Sequence, residues 1–561
     1  MKHQFACAVW ATLLVSTIPV ASGADPLKEL QLSAATSGQS PAAHWGPNPA
    51  KYISWSSHSL RLTPVYTFGT AGMPGGVDLN QYQGEHSVYR NTADVIRLYE
   101  RLPSNTINAT ATYLDQTNLA AIQRAAIRAG KKNVILFVFD GMDWQTTRAA
   151  AIYRKGEVAY SEGRGTGLHF LDYTANGTTQ FGAMVTAPHN DGTRVDVNLQ
   201  RVINPGGTQP GGYNTASAGE FPWSVAKDPW YIIGKVPSDQ PGEHPYPDSA
   251  ATATAMCSGT KTYNEAINVD ARGVLLSTVA HEAQHLGYSI GVVTSVPVSH
   301  ATPACAYAHN VSRDDYQDIC RDLLGRPSKT HPREPLPGVD VLIGGGFGDQ
   351  FKQDDLAKHR KQQGENFEPG NLWLADSDLF ASAVENGGRY VVAQRTAGAI
   401  GREVLQKGVD RAVAENRRLF GYFGVGAYSG HLPFRTADGN YDPVRGKSEK
   451  TEKYEPADIT ENPTLADMTR AALDVVSRNP KGFWLMVESG DVDWANHDNN
   501  LDNSIGAVIS GDLAVKVITD WVELNSNWNE TLLIVTADHG HYLVLDRPEL
   551  LTGKNPAAGG E

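Results

Sequence analysis

The sequence lacks a surplus of basic residues. Its 561 residues include 48 Lys or Arg and 61 Asp or Glu, which gives a formal net charge of −13 at pH 7. No basic stripe offsets this charge, and an acidic surface repels a phosphate backbone. We therefore expect no binding to nucleic acids, and any recognition of phosphate must be local. The hydrophobic share of 41% and the charged share of 19% are those of an ordinary globular protein.

Long apolar runs are absent beyond the N-terminus. Residues 1–24 begin with a basic pair, continue with an apolar run from Phe5 to about Ala21, and end in small residues. This is the pattern of a secretory signal peptide. The run is short and is broken by Pro19, which disfavours a membrane anchor. We expect an exported protein, periplasmic or extracellular, with no membrane span in its mature chain.

Cysteine is also scarce. Cys7 lies in the predicted signal peptide, which leaves Cys257, Cys305 and Cys320 in the mature protein. An odd number leaves at least one thiol unpaired within the chain. Cys305 and Cys320 can form a disulfide if the fold brings them together.

Short apolar runs that end in polar or acidic residues begin at about residue 133. They are VILFVFD ending at Asp140, SIGVVTS before His300, DVLIGGG ending at Gly346, FWLMVE ending at Glu488 and LLIVTAD ending at Asp538. Continuous runs of this kind are typical of parallel strands buried on both faces, and helical patterns lie between them. The sequence therefore predicts an α/β fold: a three-layer α/β/α sandwich with a central, mostly parallel sheet.

Composition divides the chain after the predicted signal peptide. Residues 25–130 are rich in Gly, Pro, Ser, Asn and Tyr, and we interpret them as an N-terminal extension. Residues 131–561 form the predicted catalytic domain. Within it, residues 347–462 are charged and contain many Gly and Pro, which indicates an insertion over the sheet. We find no internal repeat.

The segment YPDSAATATAMCSGTKT, which begins at Tyr246, contains a candidate nucleophile. Pro247 cannot continue a helix from upstream and the following alanines favour one, so a helix should begin near Ser249. The first-turn N–H groups and the helix dipole would favour an alkoxide or a phosphoryl group at Ser249 Oγ. Alone, an Asp-Ser pair before alanines is more often a plain N-cap, so this interpretation depends on the rest of the chain.

Candidate metal ligands follow the predicted strands. Asp493 and His497 are four residues apart, so on a helical turn they share one face and can chelate one ion. Glu488, at a strand end, would then serve a different ion. Further candidates at strand ends are Asp140, Asp538 and His539. Carboxylates mixed with imidazoles suit Zn²⁺ or a similar transition ion, and all-oxygen positions suit Mg²⁺.

In the order and spacing of these residues, the chain from about residue 133 to residue 541 resembles the alkaline phosphatase family. The segment DSAATATAMCSGTKT is similar to the family's phosphorylated-serine signature, which implies that Ser249 is the nucleophile. The resemblance implies hydrolysis of phosphate monoesters to phosphate and an alcohol through a phosphoserine intermediate. It also implies a site with two Zn²⁺ and one Mg²⁺, and it is compatible with a homodimer.

The resemblance also assigns roles to single residues. The implied metal ligands are, for the first zinc, Asp493 and His497; for the second zinc, Asp140, Asp538 and His539; and for the magnesium, Asp140, Thr302 and Glu488. Arg313, thirteen residues after His300, would clamp the phosphate with its guanidinium group. His300 would lie beside the substrate.

Three positions depart from the family's pattern. His300 replaces an acidic residue found in some bacterial members, and Trp494 follows Asp493 where others have Lys or His. These two differences leave the identity of the third ion open. Asp143 adds a carboxylate after the first strand, for which we favour a surface or capping role over metal ligation.

A larger departure concerns the first zinc. In the family this ion normally has another histidine ligand well downstream of the Asp-His pair, whereas no histidine follows His541 here. Two protein ligands are too few for a normal catalytic zinc. We expect that the sequence is a C-terminal fragment. The alternatives are a weak first site rescued by His541, or a protein that is not an efficient enzyme.

Three other functions compete with hydrolysis of phosphate monoesters. A sulfatase needs a Cys or Ser in a Cys-x-Pro-x-Arg-like context, which Ser249 and its neighbours lack. A phosphodiesterase of the same superfamily generally lacks the clamping arginine and the magnesium ligands, so Thr302, Glu488 and Arg313 favour monoesters. A phosphate-binding relic with an impaired metal site is the third alternative. Nothing in the sequence selects the natural substrate.

Overall fold

The computed structural model describes residues 25–238, 242 and 244–552. The signal-peptide prediction for residues 1–24 lies outside the described residues. In this part of the chain we find no helix with the length and apolar character needed to span a bilayer.

Sixteen strands form in the described residues, and we number them in chain order. They are β1 (Ala43–Trp45), β2 (Thr63–Phe68), β3 (Leu114–Asp115), β4 (Asn133–Phe139), β5 (Gln180–Val185), β6 (Asn190–Asp191), β7 (Val195–Asp196), β8 (Arg201–Val202), β9 (Gln209–Pro210), β10 (Ser289–Pro297), β11 (Val341–Gly345), β12 (Tyr390–Gln394), β13 (Arg418–Tyr422), β14 (Phe483–Ser489), β15 (Thr531–Ala537) and β16 (Leu543–Leu545).

The described residues also form eighteen α-helices. They are α1 (Pro26–Ser37), α2 (Thr92–Tyr99), α3 (Thr117–Arg128), α4 (Trp144–Lys155), α5 (His169–Asp172), α6 (Thr215–Ala218), α7 (Pro229–Ile232), α8 (Ser249–Ser258), α9 (Val279–His285), α10 (Ala301–Cys305), α11 (Tyr316–Leu324), α12 (Leu356–Gln363), α13 (Asp376–Ser382), α14 (Gly401–Ala414), α15 (Pro456–Thr460), α16 (Leu465–Val476), α17 (Asp491–His497) and α18 (Leu501–Asn525).

Ten of these strands make one sheet, in the order β12-β13-β11-β10-β14-β4-β15-β2-β5-β3. From β12 to β15 every neighbouring pair is parallel. Strand β2 is antiparallel to both of its neighbours, β15 and β5, and β3 pairs with β5 in parallel. The predicted α/β fold with a mostly parallel central sheet is therefore confirmed.

Alternate side chains of the central strands supply two hydrophobic cores. In β4, Ile135, Phe137 and Phe139 point to one face, and Val134, Leu136 and Val138 point to the other. Helices α4, α14, α16 and α18 cover the first face, and α3, α8, α9 and α10 cover the second. Burial on both faces explains why these strands read as continuous apolar runs. The three layers of the predicted sandwich are present.

The sheet also includes strands from residues 25–130 and 347–462, the two segments that differ in composition from the rest of the chain. The run TPVYTF, which forms β2, lies in residues 25–130 and fills a position between β15 and β5. Residues 347–462 supply β12 and β13, which extend the other edge of the sheet. Cys257, Cys305 and Cys320 are buried free thiols, so Cys305 and Cys320 do not form a disulfide.

Candidate active site

The candidate nucleophile, Ser249, is the first residue of α8, as the sequence predicts. Asp248 is the N-cap, and its side chain accepts a hydrogen bond from the backbone N–H of Ala251. Ser249 Oγ lies 3.1 Å from His539 Nε2 and 3.3 Å from Asp140 Oδ1. The serine is only 1% exposed. A hydroxyl held among an imidazole, a carboxylate and a helix N-terminus is placed for activation as a nucleophile.

Three strand-end carboxylates meet beside this serine. Asp140 follows β4, Asp538 follows β15 and Glu488 lies near the end of β14, and these three strands are parallel neighbours. All three side chains are fully buried. Burial raises the pKa of Glu488 to about 8 and that of Asp538 to about 7. Burial, followed by repulsion from Asp538, raises the pKa of Asp140 well above its ordinary value.

Three buried carboxylates this close together are stable in their ionised form only if cations lie beside them. Ionised carboxylates this close repel one another and lose hydration, so in their charged form they need positive partners. Glu488 Oε1 is buried and has no hydrogen-bond partner among the described residues. The donor set therefore fits divalent metal ions.

The residues predicted to bind the second zinc lie together. His539 Nε2 is 3.4 Å from Asp140 Oδ1 and 3.5 Å from Asp538 Oδ2. Ligand atoms on a tetrahedral zinc are about 3.3 to 3.6 Å apart, because each bond is about 2.0 to 2.2 Å long. Burial holds the pKa of His539 well below its usual value, so the imidazole is neutral and has a lone pair to give.

The residues predicted to bind magnesium also lie together. Thr302, on α10, donates a hydrogen bond of 3.4 Å from Oγ1 to Asp140 Oδ2. Glu488 accepts a hydrogen bond from the hydroxyl of Thr294. Donor atoms of Asp140, His300 and Glu488 lie within 4.8 Å of one another, so an imidazole stands close to this oxygen-rich group.

The predicted pair for the first zinc lies on α17. His497 Nε2 is 3.5 Å from Asp493 Oδ1, as expected for residues four apart on one helical face. His541 Nε2 is 2.6 Å from the same Asp493 oxygen. Although burial alone would raise it, His497, followed by His541, holds the pKa of Asp493 well below its usual value. Asp493 is therefore ionised and firmly oriented.

A further histidine that sequence reasoning missed completes this group. His58 Nε2 lies 3.1 Å from His497 Nε2 and 3.6 Å from Asp493 Oδ1. Donor atoms of His58, Asp493, His497 and His541 all fall within 4.8 Å of one another. Burial keeps the pKa of His58 well below its ordinary value, so this ring is a neutral donor. The N-terminal part of the chain thus contributes directly to the site.

The direction of β2 explains the position of His58. The carboxyl ends of parallel strands meet at one edge of a sheet, whereas an antiparallel strand starts at that edge. Val65, near the start of β2, pairs with Thr536, near the end of β15. His58 precedes β2 by a few residues, and its neighbour Ser59 pairs with Gly540. The ring of His58 therefore lies beside that of His539, with the two centroids 4.0 Å apart. The apolar run TPVYTF after this histidine is the signal that sequence reasoning had available.

Arg313 and His300 lie at the mouth of the site. Arg313 Nη1 is 3.1 Å from Asp248 Oδ2, and Arg313 Nη2 is 3.2 Å from His300 Nε2. Burial, followed by repulsion from Arg313, lowers the pKa of His300 to about 3, so its ring is neutral and accepts from the guanidinium group. A cavity of about 740 Å³ opens here, lined by His58, His300, Arg313, Asp314, Tyr316, Lys447, Ser448, Asp493, Trp494, His497 and Asp498.

The additional carboxylate, Asp143, has a structural role. It is the N-cap of α4 and accepts hydrogen bonds from the backbone N–H groups of Gln145 and Thr146. Its other oxygen lies 3.2 Å from Arg61 Nη1. These contacts confirm the favoured capping interpretation.

Comparisons with known proteins show which family the chain is similar to. A family model described as alkaline phosphatase matches residues 224–553. Alkaline phosphatase 4 of Bacillus subtilis is 31% identical over 293 residues, which are 52% of this chain and 49% of that protein. Alkaline phosphatase of Gadus morhua is 28% identical over 316 residues, covering 52% of this chain and 57% of that protein. The chain thus spans about half the length of the curated relatives it matches.

Among solved structures, the alkaline phosphatase of Thermus thermophilus is 22% identical, with a TM-score of 0.42; the match covers 73% of this chain and 60% of that one. The family match contains most of the candidate site, from Ser249 to His541. Asp140 and His58 precede the matched residues, and the fold brings both into contact with the rest of the site.

Proposed function

Because the chain belongs to the alkaline phosphatase family, we propose that it hydrolyses phosphate monoesters to phosphate and an alcohol through a phosphoserine intermediate on Ser249. The observation that carries the proposal is the position of Ser249 Oγ, 3.1 Å from His539 Nε2 and 3.3 Å from Asp140 Oδ1 at a helix N-terminus.

The proposed cofactors are two Zn²⁺ and one Mg²⁺. The ligands would be, for the first zinc, His58, Asp493 and His497; for the second zinc, Asp140, Asp538 and His539; and for the magnesium, Asp140, Thr302 and Glu488. The first two sets mix imidazole with carboxylate, as zinc prefers, and the third contains only oxygen. When bound, such ions supply positive charge that stabilises alkoxide, hydroxide and phosphoryl oxygens. His541 would orient Asp493 without binding an ion itself.

The reaction on the protein side has two displacements. Ser249 Oγ attacks phosphorus and passes its proton to water, the bond between phosphorus and the ester oxygen breaks, and that oxygen takes up a proton from water and leaves as the alcohol. Water then attacks the phosphoserine and loses a proton, the Ser249 Oγ–phosphorus bond breaks, Ser249 Oγ takes up a proton, and phosphate leaves. The first-turn N–H groups of α8 and the Arg313 guanidinium group would receive the phosphoryl oxygens.

Charge at the mouth of the site supports monoesters over diesters. Arg313 is held at the edge of the pocket by Asp248, which fixes the plane of its guanidinium group. A planar fork can bind two oxygens of one phosphate. A monoester dianion offers more free, charged oxygens to Arg313 than a diester, whose second ester group also needs room. The clamp therefore favours the monoester.

A rate comparison tests this function. The full chain is assayed with an aryl phosphate monoester and with the matching aryl diester, before and after chelation and with zinc and magnesium restored. Ser258→Ala is a matched control, because Ser258 ends the same helix and, among the described residues, its hydroxyl bonds only to the Thr254 carbonyl and the Thr260 N–H. We expect monoester turnover that chelation removes, that Ser249→Ala abolishes and that Ser258→Ala retains. Faster cleavage of the diester, or turnover by Ser249→Ala, contradicts the proposal.

We also propose export, on the basis of the signal-peptide pattern in residues 1–24. Expression of the full chain with a C-terminal tag, followed by cell fractionation and N-terminal sequencing, tests this. Cleavage near residue 24 and recovery outside the cytoplasm are expected. An uncleaved cytoplasmic protein contradicts the prediction.

A further inference from the structure

A second group of metal donors lies apart from the candidate active site. It consists of His309, in the segment after α10, Asp322, on α11, and His331, in the loop between α11 and β11. His309 Nδ1 is 3.0 Å from His331 Nε2, and His331 Nε2 is 3.8 Å from Asp322 Oδ2. One donor atom from each residue lies within 4.8 Å of the other two. We call this group the His309 site.

The tautomer of His309 is fixed by the backbone. His309 Nε2 lies 2.8 Å from the carbonyl oxygen of Leu276, which can only accept, so Nε2 carries the hydrogen. Nδ1 therefore has its lone pair directed toward His331 in the neutral ring. Burial lowers the pKa of His309 to about 3, and burial also lowers the pKa of His331, so both rings are neutral. A ring nitrogen oriented by a carbonyl on the opposite nitrogen is typical of metal-binding histidines.

Asp322 supplies a buried carboxylate. Its Oδ2 accepts a hydrogen bond of 3.0 Å from the backbone N–H of His309. Its Oδ1 is buried and has no hydrogen-bond partner among the described residues. Burial raises the pKa of Asp322 to about 8, and the nearby Ser328 hydroxyl only partly offsets this effect. A buried carboxylate of this kind gains from a cation held within its reach.

The spacing of the three donors suits a tetrahedral ion. Ligand atoms around zinc are about 3.3 to 3.6 Å apart, and the distances of 3.0 and 3.8 Å here lie on either side of that range. The His331 side chain is 15% exposed, which leaves a path for an ion and for a water molecule as fourth ligand. We propose that His309, Asp322 and His331 bind Zn²⁺ or a similar transition ion at a site separate from the active site.

The consequence of this ion would be structural. The three ligands join α11 to the loop that follows it and to the segment that leads to Arg313, four residues after His309. Thr330 Oγ1 already donates a hydrogen bond of 3.1 Å to the carbonyl oxygen of His309. An ion at the His309 site would fasten these two segments together and so stabilise the backbone that carries Arg313.

The test is metal content in a chain in which each candidate zinc group of the active site has lost one donor. In a background of Asp493→Ala and His539→Ala, apo protein is loaded with Zn²⁺ alone, desalted and analysed for bound zinc, and titrated in parallel with Co²⁺ followed by its visible absorption. We expect this background to bind about one ion per chain more than it does after His331→Gln or Asp322→Asn, either of which should lower the affinity of the His309 site at least 10-fold. Exposed His285 provides the matched control, His285→Gln, which should bind as the background does.

The two outcomes are distinct. If zinc content and cobalt spectra are the same with and without His331→Gln, the two imidazoles only hydrogen-bond to each other and the proposal is wrong. A zinc-dependent rise in melting temperature that is present in the background and lost in His331→Gln supports it, and circular dichroism shows whether each variant is folded. The result does not depend on catalysis, so failure of the proposed phosphatase function would leave it unchanged.

Discussion

His58 Nε2 lies 3.1 Å from His497 Nε2, although 439 positions separate the two histidines along the chain. The contact arises because β2 runs antiparallel to β15 and starts at the edge where β15 ends. Asp493 and His497 are the two ligands that the sequence predicts for the first zinc. We propose that His58 is a third ligand of this ion, contributed by the opposite part of the chain.

Replacing His58 should remove one metal ion. Without this imidazole the first zinc would keep only Asp493 and His497, which are too few for a catalytic site. We expect His58→Ala to bind about one zinc fewer per chain and to lose at least 100-fold in kcat/KM. Elemental analysis of the desalted protein measures the ion count. The control is His86→Ala, because His86 is an exposed histidine of the same N-terminal region. An unchanged zinc count in His58→Ala excludes His58 as a ligand.

Arg313→Lys should weaken phosphate binding while it preserves charge. Lysine cannot reproduce the planar fork that Asp248 and His300 hold in place, so one charge-assisted hydrogen bond is lost, worth about 1.5–3 kcal/mol. We expect kcat/KM to fall about 10- to 100-fold and inhibition by inorganic phosphate to weaken by a similar factor. Arg272→Lys is the comparison, because Arg272 makes a bidentate contact with Glu100 at the surface. Equal phosphate inhibition in both variants contradicts the clamp.

Metal loading should release protons, and more of them at lower pH. Burial raises the pKa of Glu488 to about 8 and that of Asp538 to about 7, so the apo protein holds these protons well above the ordinary carboxyl range. A cation needs the ionised forms, so binding displaces the protons wherever the pH is below those values. We expect about two protons or more per chain at pH 6 and fewer than one at pH 9. A pH-stat titration of apo protein with zinc and magnesium measures this, and release independent of pH contradicts it.

The ion pair between Lys261 and Asp115 should be essential to stability. Lys261 Nζ lies 3.0 Å from Asp115 Oδ2, and both side chains are fully buried. Lys261→Met leaves a buried carboxylate without its partner, which typically costs about 3–5 kcal/mol. The control is Lys516→Met, which removes a surface partner of Asp520 and should cost about 0.5 kcal/mol or less. Urea unfolding curves compare the two. An equal decrease in the free energy of unfolding for both variants contradicts the prediction that the buried pair contributes more than the surface pair.

Local rules made much of the candidate site predictable. Asp493 and His497 share a helical face because they are four residues apart, and Ser249 starts its helix because a proline precedes and alanines follow it. Asp140 and Asp538 adjoin because parallel strands end at one edge. Each of these relationships is set by neighbours in sequence or by a repeated fold pattern.

His58 was not predictable in this way. Its position depends on which strand lies beside β15 and on the direction of that strand, and neither is encoded near residue 58. The run TPVYTF is short and lies in a region rich in Gly and Pro, so its place in the sheet becomes visible only in three dimensions. His541 follows the same logic: its contact with Asp493 depends on how the loop after β15 meets α17.

The antiparallel placement of β2 also has a consequence in time. During synthesis at about 5–20 residues per second, His497 leaves the ribosome roughly 20 to 90 seconds after His58. Throughout that interval β2 has no β15 to pair with, although β5 can already pair with its other edge, and His58 has no His497 to contact. One edge of β2 therefore stays unpaired until β15 has been made, and the candidate active site can form only after that.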